Sequence, residues 1–187
     1  MSVFTSKREK RLWVSVLLIL TAIYSTLGLA GELAAFLRSR AQLDKVYIAC
    51  FSIVVIVLIG LAIINKTRAL LIFTGLGLLA VYTMVIVRMG LSPEERTHLF
   101  EYALVGILIY LALKERKKTK SLNKSPFWMA IVITLLLGWL DEGIQAMIPN
   151  RVYDIRDVGF NAIAGISGIF SMAILNGLKR KLKSSKV

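Results

Sequence analysis

Sulfur and imidazole side chains are scarce in this chain of 187 residues, which has one cysteine, Cys50, and one histidine, His98. A lone cysteine excludes an internal disulfide, a thiolate metal site and a paired-cysteine redox centre within one chain. A lone histidine excludes the His-x-x-x-His spacing of common zinc sites. We therefore expect no metal site and no cofactor, although a Mg²⁺ ion held by carboxylates stays open.

Acidic residues are also few, 11 against 24 basic ones, whereas 57% of the residues are hydrophobic and the mean hydropathy is +0.71. A water-soluble chain of this length could not cover so much apolar surface. Runs that approach or exceed the roughly 20 residues needed to cross a bilayer occupy 12–37, 46–64, 69–87, 98–113, 127–148 and 158–178. The sequence predicts an all-α, polytopic transmembrane helical bundle with six spans. We expect the first run to be kept as a span rather than cleaved as a signal peptide.

Local residue patterns predict several helix ends. Ser92-Pro93-Glu94-Glu95 is typical of an N-cap, a proline in the first turn and a capping-box glutamate. Ser125-Pro126 predicts the start of the fifth helix in the same way. Pro149-Asn150 predicts the end of that helix, and Asp154 and Asp157 can cap the sixth.

The distribution of charge predicts the orientation, because Lys and Arg are enriched in cytoplasmic loops. The N-terminus, the loops 65–68 and 114–125 and the C-terminal tail together hold 17 of the 24 basic residues but only two of the 11 acidic ones. Both termini are therefore predicted to be cytoplasmic. Short juxtamembrane loops favour contact with anionic membrane lipids. They do not predict nucleic acid binding.

Polar and ionisable residues gather at the opposite, outer ends of the predicted spans. They are Glu32, His98, Glu101, Tyr102, Asp141, Glu142, Gln145, Arg151, Asp154, Arg156, Asp157 and Asn161. A charged group costs about 2.5 to 3.5 kcal/mol at the centre of a span and less near the interface. Such a concentration therefore indicates a functional site.

Helical spacing places these residues in stripes. His98, Glu101 and Tyr102 share one face of the fourth helix, and Asp141 and Gln145 share one face of the fifth. The sixth carries a polar-to-small stripe made of Asp157, Asn161, Gly165 and Gly168. We expect the three stripes to face one another, with Arg151 and Arg156 neutralising some carboxylates. The structural alternatives are ion pairs that only fix helix register and aspartates that only cap.

These residues resemble the signature of VanZ-like membrane proteins. The resemblance rests on Asp141-Glu142-Gly143-Ile144-Gln145, then Ile148-Pro149-Asn150-Arg151, then Asp154, Asp157, Asn161 and Gly165, with His98-x-x-Glu101-Tyr102 upstream. Asn150 stands where the family commonly has Gly. The resemblance covers about 92–178 and divides the chain into three N-terminal spans at 1–91, a VanZ-like core of three spans at 92–178 and a basic cytoplasmic tail at 179–187.

The resemblance implies a multi-pass protein of the bacterial cytoplasmic membrane that gives low-level, teicoplanin-type glycopeptide resistance or otherwise protects the envelope. Its ligand would be a glycopeptide or a lipid-linked cell-wall precursor, held by Gln145, Arg151, Asp154, Arg156, Asp157 and Asn161.

Two alternatives stay open. The first is a membrane enzyme acting on a lipid-linked envelope substrate, with acid-base groups drawn from His98, Glu101, Asp141 and Glu142. The second is a small transporter or flippase, in which intramembrane acids relay protons and a homodimer supplies more helices.

Overall fold

The computed structural model describes residues 4–88, 93–119, 124–147 and 153–184. Every regular element in these ranges is an α-helix and none is a strand, so the all-α prediction is confirmed. The helices are α1 Lys7–Ser39, α2 Leu43–Ile64, α3 Ala69–Arg88, α4 Pro93–Thr119, α5 Pro126–Gln145 and α6 Ile155–Ser184.

The helix ends follow several of the local signals. Helix α4 begins at Pro93 and α5 at Pro126, and the preceding Ser125 has extended backbone angles, φ −65° and ψ 130°, although its hydroxyl does not cap the helix. A side-chain oxygen of Asp154 accepts the backbone N–H of Arg156 at 2.8 Å, which is an N-cap bond for α6. Ser92, Pro149 and Asn150 lie outside the described residues.

Four helices, α2, α3, α5 and α6, are long and apolar enough to cross a membrane. Helix α2 contains no buried residue, and α3 buries only Ile86. An apolar helix that packs so little of its surface inside its own chain is suited to an apolar solvent such as lipid. The structure therefore supports a membrane protein.

The chain divides into two compact units. The first comprises Met1–Ser25 and His98–Ala173, and the second comprises Thr26–Thr97 and Ile174–Val187. The first unit thus joins the start of α1 to most of the segment 92–178. Within the second unit, the guanidinium of Arg68 donates to the backbone oxygen of Leu182 at 2.7 Å.

The apolar core of the first unit is built from α1, α4, α5 and α6. Its buried members are Val16, Ile23, Val105, Ile109, Tyr110, Leu113, Ala130 and Ile169. In α4, residues 105, 109, 110 and 113 recur at three- and four-residue intervals, which places them on one helix face. This apolar core packs α1, α4, α5 and α6 against one another.

A buried ion pair, which we call the clasp, joins the start of α1 to the end of α4. The guanidinium of Arg116 donates to the fully buried carboxylate of Glu9 at 2.6 Å. The hydroxyl and the backbone N–H of Thr5 donate to the other Glu9 oxygen at 2.6 and 2.7 Å. Burial raises the pKa of Glu9, but these hydrogen bonds and the Arg116 charge outweigh it and hold the pKa below the ordinary 4.5.

We expect Arg116→Gln to lower the free energy of unfolding by about 2 kcal/mol at pH 7, because it leaves the buried Glu9 carboxylate without its cation. Thermal unfolding in detergent measures the effect. The matched control is Lys118→Gln. Lys118 pairs with Glu115 but keeps 58% of its side chain exposed, so its loss should change stability by less than about 1 kcal/mol.

The pH dependence of this difference has a defined sign. Since the Glu9 pKa is lowered on folding, the ionised clasp stabilises the fold above about pH 4.5 and loses its contribution as the pH falls through the lower folded value. The stability gap between wild type and Arg116→Gln should therefore narrow on acidification. A gap that is constant between pH 7 and pH 3 would contradict an ionic clasp.

Candidate functional site

Six polar side chains are buried where α4, α5 and α6 meet, and we call them the polar cluster. They are Tyr102 from α4, Thr134, Asp141, Glu142 and Gln145 from α5, and Asn161 from α6. None exposes more than 5% of its surface. Buried carboxylates are rare in proteins and costly unless they are hydrogen bonded, so this concentration needs a structural or functional reason.

Helix α5 supplies most of the cluster because its polar and small residues share one face. Thr134, Gly138, Asp141 and Gln145 recur at intervals of four, three and four residues, and all are buried. Gly138 lets the neighbouring helices approach, since a Cβ there would lie 3.0 Å from the Cβ of Asn161. The α5 backbone thus brings its carboxylates into contact with α6.

The two carboxylates share side-chain amide donors. The Gln145 amide nitrogen lies 3.3 Å from Asp141 Oδ2 and 3.3 Å from Glu142 Oε1. The Asn161 amide nitrogen lies 3.5 Å from the same oxygen of Asp141. These distances are longer than the 2.9 Å typical of amide hydrogen bonds, so each bond is weak. Gln145 and Asn161 thus contribute amide donors to the two acids at the long end of the hydrogen-bond range.

Tyr102 brings α4 into the cluster. Its hydroxyl donates to the backbone oxygen of Leu137 on α5 at 3.2 Å. The same hydroxyl lies close to the Asp141 carboxylate and to the hydroxyl of Tyr24 on α1. A phenol has one proton to donate, so the Tyr102 hydroxyl can bond either the Leu137 oxygen or the carboxylate at one time. Tyr24 was not among the residues expected from the sequence.

Glycines make the close packing around the cluster possible. A Cβ on Gly168 of α6 would collide with the backbone oxygen of Ala103 on α4, and a Cβ on Gly165 would collide with the methyl group of Thr134 on α5. A Cβ on Gly106 of α4 would lie 2.8 Å from the backbone oxygen of Gly165. The small-residue stripe of α6 therefore lies between α4 and α5, as small residues at membrane helix interfaces do.

The start of α6 forms a more exposed rim. Asp154, besides capping α6, places its backbone N–H 3.5 Å from Glu142 Oε2. Asp157 is half-buried. Arg156 is exposed, and its guanidinium lies 5.9 Å from the centre of the Phe160 ring, a cation-π distance. In the part of the chain that the structure describes, Arg156 forms no ion pair with a carboxylate, so the expected neutralisation by this residue is not seen there.

The remaining expected residues are placed as follows. Glu101 is half-buried on α4, one residue before Tyr102. Arg151 lies outside the described residues, and the side chains of His98 and Glu32 do so as well. The structure thus brings together Asp141, Glu142, Gln145 and Asn161, with Asp154 and Asp157 at the rim.

Thr134 is the member of the cluster that the sequence did not single out. It is 1% exposed, and its hydroxyl has no hydrogen-bond partner among the described residues. Its position one helical turn before Gly138 and two before Asp141 is the signal that could have identified it. This buried hydroxyl extends the polar cluster along α5 toward the middle of the helix.

The chemistry of the cluster favours ligands that donate hydrogen bonds. Carboxylates and amide oxygens accept hydrogen bonds from ammonium, amide and hydroxyl groups. Among the described residues, no group of three or more His, Cys, Asp or Glu side chains has the arrangement to hold a metal ion.

No family model matches the chain, and no curated protein and no solved structure matches it.

Proposed function

We propose that this chain crosses the bacterial cytoplasmic membrane six times, with both termini in the cytoplasm. Four helices have the length and composition of spans, and the apolar runs of α1 and α4 would supply the other two. The basic residues at the start of α1 and the end of α4 support a common cytoplasmic side. In this orientation the polar cluster lies toward the outer leaflet.

The polar cluster is the observation that carries the functional proposal. Asp141 and Glu142 are 0% and 2% exposed, and the amide nitrogens of Gln145 and Asn161 lie 3.3 to 3.5 Å from their carboxylate oxygens. Replacing buried ionic groups by apolar ones is often neutral or stabilising, so a fold gains little from keeping them. Two adjacent buried acids within a predicted span are typical of a functional site.

We propose that the protein protects the cell envelope by binding at this cluster, as the resemblance to VanZ-like proteins implies. The ligand class is a lipid-tailed glycopeptide or a lipid-linked cell-wall precursor, whose hydroxyl and amino groups suit carboxylate and amide acceptors. Because the acids are buried, the ligand would first contact the rim at Asp154 and Asp157 and reach the acids when α5 and α6 separate.

Drug susceptibility tests this proposal. A sensitive Gram-positive host that expresses the wild-type chain should become about fourfold or more resistant to teicoplanin, with little change toward vancomycin, which lacks a lipid tail. The control is the same host with an empty vector. No shift for either drug would contradict glycopeptide protection and favour the enzyme or transporter alternatives.

Cysteine labelling tests the orientation separately. In a Cys50→Ala background, a cysteine introduced at Asn150 should react in intact cells with a thiol reagent that cannot cross the membrane. A cysteine introduced at Lys118 should stay unlabelled until the cells are opened. Labelling of the Lys118 position in intact cells would contradict the proposed orientation.

A further inference from the structure

Two basic segments of similar composition lie at one end of the first unit. Residues 7–11 read KREKR and residues 114–118 read KERKK, so each holds four cations and one acid. The first segment opens α1 and the second lies near the end of α4. In the linear sequence they are more than 100 residues apart.

The two acids of these segments join the segments reciprocally. Glu9 of α1 accepts from Arg116 of α4 at 2.6 Å, and Glu115 of α4 lies 4.0 Å from Arg8 of α1. The hydroxyl of Thr119 also donates to the hydroxyl of Thr5 at 3.0 Å. The clasp therefore turns two separate basic runs into one surface.

Most of the cations on this surface point to solvent. Lys7, Lys10, Arg11 and Lys117 are exposed, and no ion pair engages them among the described residues. Lys118 keeps 58% of its side chain exposed even while it contacts Glu115. Eight cations against two acids leave a concentrated positive surface, which lowers the energy of any nearby anion.

Aromatic side chains lie where the positive surface meets the apolar parts of the helices. Trp13 follows Arg11 by two residues and packs against the apolar core, and the ammonium group of Lys114 lies 5.9 Å from the Tyr110 ring centre. Trp128, near the start of α5, is 65% exposed. Tryptophan and tyrosine mark the headgroup level of a bilayer.

We propose that residues 7–11 and 114–118 form one binding surface for the headgroups of anionic phospholipids. The surface lies at the aromatic border of apolar helices, where lipid phosphates lie, and this position favours a lipid over a soluble polyanion. Each Lys or Arg near the surface strengthens association with an anionic bilayer about fivefold. The inference rests on α1 and α4 crossing the bilayer, as proposed above, but not on what the polar cluster binds.

Lipid-specific quenching of Trp13 tests the surface. The full chain carrying Trp128→Phe and Trp139→Phe keeps one tryptophan beside the basic residues. It is reconstituted in nanodiscs of phosphatidylcholine and phosphatidylglycerol, with bromine on the acyl chains of only one lipid at a time. We expect brominated phosphatidylglycerol to quench as if it were enriched about threefold around Trp13. Raising the salt should lower this enrichment.

Two matched variants assign the enrichment to this surface. Lys7→Gln/Lys10→Gln/Lys117→Gln removes three exposed cations outside the clasp and should bring the quenching by the two lipids close to equality. Lys7→Arg/Lys10→Arg/Lys117→Arg keeps the positive charge at the same three positions and should leave the enrichment unchanged.

Four outcomes, in each of which the lipids still quench Trp13, would overturn the proposal. The first is equal quenching by both lipids in the parent chain, and the second is an unchanged lipid enrichment in the first variant. The third is a loss of enrichment in the second variant as large as that in the first. The fourth is a larger loss of enrichment when inorganic phosphate is added than when chloride is added at equal ionic strength. The last would indicate a site for soluble phosphate. Equal quenching by both lipids would leave the proposed function intact. Quenching by neither lipid would show that α1 is not in the bilayer and would contradict the six-span proposal as well.

Discussion

Gly168→Ala is expected to lower the free energy of unfolding by about 2 to 3 kcal/mol. The new Cβ would collide with the backbone oxygen of Ala103, and a second contact would be with the backbone carbon at 3.0 Å. Backbone atoms cannot rotate away as a side-chain end can, so α4 and α6 would have to separate. The separation would also loosen the polar cluster between them.

Gly159→Ala is the matched control for this prediction. It makes the same substitution on the same helix, but a Cβ at Gly159 would have no neighbour within 4 Å. Alanine favours a helix over glycine by up to about 1 kcal/mol, so this variant should be as stable as wild type or slightly more stable. Thermal unfolding of both purified variants in the same detergent measures the difference. Equal stability of the two would contradict close α4–α6 packing.

Asp141→Asn and Glu142→Gln are expected to abolish the envelope phenotype while leaving the fold at least as stable as wild type. Each substitution keeps the shape of the side chain and removes one ionisable group from the buried cluster. A neutral amide costs less to bury than a carboxylate that can ionise, and it can still pair with Gln145 or Asn161 after reorientation. A site kept for function commonly trades stability for activity in this way.

The structural alternative makes the opposite prediction. If the carboxylates only fixed helix register through ion pairs, the isosteric amides would lower stability by about 3 kcal/mol or more. Membrane abundance and thermal stability would then fall together with any activity. Measuring unfolding temperature and phenotype on the same variants separates the two interpretations, because only the functional interpretation predicts loss of phenotype without loss of protein.

Local sequence signals predicted several features of the fold. The prolines at Pro93 and Pro126 marked helix starts, because proline fits the first turn of a helix and disrupts later ones. Asp154 was correctly identified as a cap for α6, since its short side chain can reach a backbone N–H two residues on. The glycine stripe of α6 followed from helical periodicity alone.

Contacts between distant residues were not predictable in the same way. The bond between Glu9 and Arg116 links positions 107 residues apart, and both were read only as members of basic loops. A local signal did exist, because Ser6 and Glu9 have capping-box spacing and the Ser6 hydroxyl accepts the Glu9 N–H at 3.0 Å. That spacing predicts a helix start but not the partner of the glutamate.

Spacing within one helix could group some residues of the polar cluster, but packing between helices decided which of them are buried. Spacing on one helix placed Asp141 with Gln145, but it could not decide which face of the α6 start is buried. The sequence therefore did not predict that Arg156 is exposed and that its guanidinium lies over the Phe160 ring. Tyr24 was missed because it belongs to a helix outside the resemblance, and only packing brings it near Tyr102.

Teicoplanin susceptibility at matched membrane levels tests most directly whether the buried carboxylates carry the function. The strains would express wild type, Glu142→Gln or Gly143→Ala, the last being a neighbouring position where an added methyl group has open space. We expect resistance from wild type and Gly143→Ala and none from Glu142→Gln. Full resistance from Glu142→Gln at wild-type abundance would contradict the role assigned to the Glu142 carboxylate.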